Sequence, residues 1–274
     1  MGKRILLVND LPGYGKVALS AMMPVLGHMG YSLHNLPTAL VSNTLDYGLF
    51  SIKETTEYMK DCIRVWGELG FSFDAIATGF IVTGEQAKLL AAYCAEQREK
   101  GTLIFTDPIM GDEGKLYNGI TEETVGHMRT LCAEADYVVP NYTEAAFLTG
   151  TPCTSEPLSE TEVRSLLDGM RAVGSRSVVI TSLSTEGGAA VAGYDAKTDS
   201  YFTIPYEAIP IRFPGTGDVF SALFTGHMLR GTAMSESVRK SMTGVYRLIE
   251  RNLDEPDTYR GLPIESSLAL IDCD

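Results

Sequence analysis

Between residues 215 and 218 the chain reads Gly-Thr-Gly-Asp, and these four residues carry two kinds of chemistry that oppose each other. Gly215, Thr216 and Gly217 let backbone N–H groups converge at the first turn of an apolar helix, where partial positive charge collects and anions bind. Asp218 would repel such an anion. Its presence makes sense if it takes a proton while the amides of residues 215 to 217 hold a phosphoryl group. The plainer alternative is a glycine-rich turn with an aspartate cap. Apolar or small residues at 219, 220, 222, 223, 224 and 228, followed by Arg230 and Gly231, support a helix that starts beside Asp218 and stops at a glycine.

Two further segments concentrate oxygen ligands. Asp107-Pro-Ile-Met-Gly-Asp112 sets two carboxylates around a proline and a glycine, in a loop that cannot continue as helix. Such oxygens suit Mg²⁺, which takes one or two carboxylates together with phosphate oxygens and water, although taken alone the segment reads more plainly as a polar loop with a capping aspartate. Pro140-Asn-Tyr-Thr-Glu144 has the spacing of a capping box, with Asn141 as N-cap and Glu144 at N3. Gly13-Tyr-Gly-Lys16 is no phosphate-binding P-loop: Asp10 stands where its first glycine is required, and Val17 where its hydroxyl is required. The histidines at 28, 34, 127 and 227 lack metal-ligand spacing, and His227 reads as a core residue. The cysteines at 62, 94, 132, 153 and 273 form no CxxC pair and read as buried or incidental thiols of a reducing compartment.

The elements that must position these residues follow from periodicity. Short apolar runs at 4–8, 74–78, 103–106, 137–139 and 177–180 predict strands. Amphipathic stretches at 16–29, 52–69, 84–100, 122–133, 142–148 and 160–172 predict helices between them, the pattern of βα units on a parallel sheet. The pattern then changes to an antiparallel hairpin, 188–194 with 200–204, and two helices at 218–230 and 235–250. Asn9-Asp10, Thr78-Gly79-Phe80, Asp107, Pro140-Asn141 and Thr181-Ser182 each follow a predicted strand. In open α/β sheets ligands bind beyond the carboxyl ends of the strands, although Asp and Asn there are also ordinary turn formers.

With 274 residues, 45% of them hydrophobic, and no low-complexity linker or repeat, the chain is expected to form one α/β domain over residues 1–274. A net charge of −13 argues against binding nucleic acid or an anionic membrane. The basic residues at the start precede only four apolar ones, too few for a signal peptide, and no run reaches membrane-spanning length, so a soluble cytoplasmic protein is expected.

In order and spacing, several segments together resemble the ribokinase superfamily, and within it the vitamin B6 kinases. They are Tyr14-Gly15, Val41-Ser-Asn-Thr44, Tyr47-Gly48, Gly79-Phe80, Asp107 to Asp112, Gly114-Lys-Leu-Tyr117, Pro140 to Glu144, Thr181-Ser182 and Gly215 to Asp218. The resemblance implies a ribokinase-like three-layer α/β/α fold and ATP-dependent phosphorylation of the 5′-hydroxymethyl group of pyridoxal, pyridoxine or pyridoxamine. By it, Asp218 is the base, and the Gly215 to Gly217 backbone is the anion hole. Asp107, Asp112 and Glu144 organise Mg²⁺ and a monovalent cation, with Asp107 and Glu144 also at the nucleotide. Asn141, Thr181 and Ser182 face its phosphates, and Tyr117 lies near the triphosphate or substrate. Asp10, Asp46, Tyr47 and Phe80 line the pyridine pocket. A homodimer is implied in the same way.

Two positions depart from that pattern: B6 kinases usually carry serine at the position of Asp10, and often tyrosine at that of Phe80. A carboxylate at 10 can pair with a protonated ring nitrogen or with an aminomethyl group, so an altered preference among the three vitamers is expected. The rival readings are a hydroxymethylpyrimidine kinase, in which the position of Asp218 is often cysteine, and a non-catalytic B6-binding protein, which has no reason to keep the base.

Overall fold

The computed structural model describes residues 2–117 and 120–272. Cys273 therefore lies outside the described residues. In chain order the elements are β1 (Arg4–Pro12), α1 (Ala18–His28), β2 (Ser32–Val41), β3 (Ile52–Glu54), α2 (Thr56–Leu69), β4 (Ala75–Thr78), α3 (Gly84–Glu99), β5 (Leu103–Thr106), β6 (Gly111–Asp112), β7 (Lys115–Leu116), α4 (Glu122–Cys132), β8 (Tyr137–Val138), α5 (Tyr142–Thr149), α6 (Glu160–Ala172), β9 (Ser177–Thr185), β10 (Gly188–Asp195), β11 (Ser200–Pro205), α7 (Thr216–Leu229) and α8 (Met234–Arg251). They divide into two compact units: the chain up to Val82 and again from Ile209, and the stretch Thr83–Ala208.

In the first unit β1 lies between β4 and β2 and runs parallel to both, while β3 is antiparallel to β2. Ile5, Leu6, Leu7 and Val8 are fully buried, so β1 reads as a continuous apolar run, as expected of a strand covered on both faces. Because the β1-to-β2 and β2-to-β4 connections move in opposite directions along the sheet, right-handed crossovers put α1 and α2 on opposite faces. α7 packs against α1 and α8.

The second unit carries β5, β8 and β9 in parallel, then β10 and β11 as antiparallel additions. Helices α3 to α6 pack in succession, and α6 covers β9. Helices flanking mostly parallel strands, with a late hairpin, match the three-layer α/β/α class expected.

Two elements depart from the periodicity. The helix expected from Ile52 starts at Thr56, because residues 52–54 pair with Ala39–Val41 as β3. β2 was not anticipated, since His34, Asn35 and Pro37 interrupt its apolar character. Its register against β1 slips between Asn9 and Leu11, so that Asp10 faces two residues of β2, Thr38 and Ala39. Such a bulge re-aims the side chains around it.

Candidate active site

In the first unit, Asp10, Phe80 and Asp218 are brought together around Asn9. Asn9 is 1% exposed and ends the buried run of β1. Its Oδ1 accepts the Phe80 N–H at 2.8 Å and the Asp10 N–H at 3.0 Å, and its Nδ2 donates to Asp218 Oδ1 at 3.3 Å. Thr38 Oγ1 donates to the Phe80 carbonyl at 2.7 Å, fixing that peptide from the other side. Gly79 is obligatory for this packing, because a Cβ there would overlap the Asn9 amide.

Asp218 sits in the first turn of α7 and is 8% exposed. The helix begins at Gly215 with φ 86°, and no side chain caps its N–H groups, so the positive end of the dipole stays open to an anion. A Cβ on Gly215 would run into the Lys16 carbonyl. Burial pushes the Asp218 carboxyl up to about 6, held there against further rise by hydrogen bonds from the Ala18 N–H and the Asn9 amide. Ala18 adopts φ 48°, a left-handed conformation that costs an alanine about 1–2 kcal/mol. Asp10 is pushed up to about 7, first by burial and then by the negative charge of Asp218.

Asp46 and Tyr47 make contacts with residues of the C-terminal part of this unit. Asp46 pairs with Arg212. Tyr47 OH donates to Asp257 Oδ2 at 2.5 Å, which raises the phenol above its usual range. Its ring lies 6.0 Å from Tyr14 and 5.7 Å from Tyr259, centroid to centroid, and all three rings are exposed. Lys16, the lysine of the rejected P-loop, forms an ion pair with Glu265.

The second unit gathers Asp107, Asn141 and Glu144. The capping box is complete: Asn141 Oδ1 accepts the Glu144 N–H at 2.9 Å, and the Asn141 N–H donates to Glu144 Oε2 at 2.9 Å. Glu144 Oε1 takes the Met110 N–H at 3.0 Å, and Asn141 Nδ2 donates to the Gly111 carbonyl at 2.8 Å, so the pair also fixes the loop after β5. Burial, aided by Asp107, raises the Glu144 carboxyl well above its ordinary value, although backbone N–H groups of Asn141, Met110 and Gly111 oppose the rise. Thr181 forms a parallel bridge with Asn141 and donates its N–H to the Pro140 carbonyl at 3.0 Å. Ser182 is exposed with φ 57°. Asp112 lies in β6 and Tyr117 directly follows β7, where the Tyr117 N–H donates to the Met110 carbonyl at 3.0 Å.

No group of three or more His, Cys, Asp or Glu side chains among the described residues is placed to hold a metal ion. His227 is buried with Nε2 unpartnered, and burial lowers it to about 4, in keeping with a neutral core residue. Cys94 and Cys132 are buried, and Cys153 is exposed. Sequence reasoning placed Asn9 at a strand end without giving it a role, and left Ala18 out of the site. Asn9 had a signal, a buried polar residue closing an apolar strand; Ala18 had none, because nothing in an alanine announces a left-handed backbone.

Residues 26–260 match the family model described as phosphomethylpyrimidine kinase. Among relatives, the chain is 29% identical to a pyridoxine/pyridoxal/pyridoxamine kinase of Bordetella avium, over 83% of this chain and 78% of that one. A Bacteroides thetaiotaomicron protein described as a phosphomethylpyrimidine kinase, in a crystal form with pyridoxal, is 30% identical with a TM-score of 0.91, over 100% of this chain and 96% of that one. Pyridoxal kinase from Lactobacillus plantarum gives a TM-score of 0.87 at 26% identity, over 98% and 96% of the two chains.

Proposed function

The chain belongs to the phosphomethylpyrimidine kinase family of the ribokinase superfamily, and on that footing we propose that it is a vitamin B6 kinase acting on pyridoxal, pyridoxine or pyridoxamine. The observation that carries the reading is Asp218: a buried carboxylate poised at about 6, in the first turn of a helix whose N–H groups no side chain caps. Phosphoryl transfer asks the protein for alignment, charge neutralisation and a proton acceptor. Asp218 takes the proton of the 5′-hydroxyl as that oxygen bonds to the γ-phosphorus of ATP. The bond from phosphorus to the β-phosphate oxygen breaks, and ADP leaves. The amides of Gly215, Thr216 and Gly217 meet the charge on the transferring group. Asn9 and Ala18 keep the carboxylate oriented and more acidic than burial alone would leave it.

ATP is read as arriving with Mg²⁺. Asp107 and Asp112 are its protein carboxylates in this reading, in line with an ion that keeps water and phosphate ligands. Glu144, whose oxygens accept backbone N–H groups, supports the Asp107 loop and supplies negative charge for a monovalent cation. Asn141, Thr181, Ser182 and Tyr117 serve the nucleotide, and Asp10, Asp46, Tyr47 and Phe80 the pyridine. We read residues 1–274 as one kinase domain, since the chain leaves the first unit at Val82 and returns to it at Ile209, and the enzyme as a cytoplasmic homodimer. No helix among the described residues is long and apolar enough to cross a membrane.

The family's description favours a second reading, hydroxymethylpyrimidine as substrate. An ATP-consumption screen of the purified chain against the three vitamers and hydroxymethylpyrimidine separates them. Turnover of the vitamers is expected. Turnover of the pyrimidine alone replaces the first reading with the second, and no turnover at all leaves a binding protein.

A further inference from the structure

Asp10 occupies a position no base is needed for, yet it is built into the same cluster as the base. The slip between β1 and β2 turns the chain at this residue. Asn9 then holds it from behind, accepting the Asp10 N–H at 3.0 Å while donating to Asp218 Oδ1 at 3.3 Å. One amide side chain thus spans both carboxylate residues. Neither carboxylate has a cationic partner among the described residues. Lys16, whose backbone abuts Gly215, is paired with Glu265, and Arg212 is paired with Asp46. Asp218 is satisfied by Asn9 and Ala18, whereas the Asp10 carboxylate forms no hydrogen bond or ion pair with another described residue. Two like charges without a cation raise each other's proton affinity, and the value of about 7 for Asp10, with Asp218 among its causes, reports that.

The counter-charge must then come from what binds. Resting on the B6-kinase reading, the base defines which part of the ring lies here: the hydroxymethyl group on C5. The substituent on the adjacent carbon, C4, is the nearest neighbour of that group, and the ring nitrogen lies farther round the ring. On C4 the three vitamers differ, carrying a formyl, a hydroxymethyl or an aminomethyl group. Only the last is a primary ammonium. We infer that Asp10 is a specificity-determining residue, which selects the vitamer with an ammonium on the carbon next to the reacting hydroxymethyl group. A carboxylate facing a formyl oxygen is repelled, and one facing a hydroxyl gains a single hydrogen bond. One facing an ammonium gains a charge-assisted bond, and the carboxylate pair loses its repulsion.

The test uses the full chain at pH 8, above the values of both carboxylates. kcat/KM for pyridoxamine, pyridoxine and pyridoxal is measured with MgATP for the wild type, Asp10→Asn, Asp10→Ser and Asp10→Glu. The wild type is expected to favour pyridoxamine over pyridoxine by about tenfold or more. Asp10→Asn and Asp10→Ser are expected to reduce that ratio by about tenfold, mainly through KM for pyridoxamine, with Asp10→Glu restoring part of it. Calorimetric binding of pyridoxamine and pyridoxine without nucleotide supplies the same comparison independently of turnover, and the wild-type ratio stands even if a variant fails to fold. A wild type that does not favour the amine, or a ratio that Asn and Ser leave unmoved, overturns the inference while the kinase reading survives. Absence of turnover with all three vitamers removes both.

Discussion

Asp218 is expected to behave as a group that matters when the proton moves. Asp218→Asn should lower kcat by about 10²–10⁴-fold while leaving nucleotide affinity largely intact, measured by steady-state kinetics beside calorimetric ATP binding. Because the carboxylate must be ionised to accept a proton, kcat/KM for the vitamer should fall as pH drops through about 6. Asp10 carries a stability consequence of opposite sense to that of a salt-bridged aspartate. Its value is raised from 3.8 to about 7 on folding, so its contribution to stability is fully present below pH 3.8 and is lost as pH rises to about 7. Asp10→Asn should therefore stabilise the fold at pH 8 by up to about 4 kcal/mol and by less than half as much at pH 5, read from denaturant midpoints at the two pH values. Gly79→Ala should cost about 1–3 kcal/mol and, on the proposed mechanism, lower kcat as well, because the added carbon displaces the Asn9 amide that is hydrogen-bonded to Asp218.

Among the elements, α5 has the most exacting local requirement. Its N-cap and N3 residues hold each other and the loop from Met110 to Gly111 together. Removing the carboxylate with Glu144→Ala strands buried N–H groups of Asn141, Met110 and Gly111. That should cost about 2–4 kcal/mol by denaturant unfolding. The capping box was legible from Asn141 and Glu144 alone, as was α7 from its apolar run and flanking glycines, because caps and helical periods are local. β2 was hidden for the converse reason. Its polar positions and Pro37 are tolerated through pairing with β1, a partnership no local window contains. The shortened start of α2 follows, since β3 exists only by pairing with β2. The site shows the same division. Asp10, Phe80 and Asp218 stood at strand and helix ends and could be named, while Ala18 owes its part to a backbone angle.

For the molecule as a whole, the charge of −13 sets a condition on a substrate that is itself an anion. MgATP approaches against the protein's field, so its kcat/KM should rise, not fall, as ionic strength goes from about 0.01 to 0.15 M and the Debye length shrinks from about 30 to 8 Å. A rate that falls with salt would point to a locally positive approach instead. The hydrogen bond between Asn9 and Asp218 joins residues 209 positions apart. Translation at about 5–20 residues per second separates their synthesis by roughly 10 to 40 s. Until about four-fifths of the chain has been made, the nascent polypeptide has neither Asp218 nor the α7 N-terminus. On the proposed mechanism, no phosphoryl transfer is expected from the ribosome-bound chain before that point, and any truncation ahead of residue 218 is expected to yield a fragment without kinase activity.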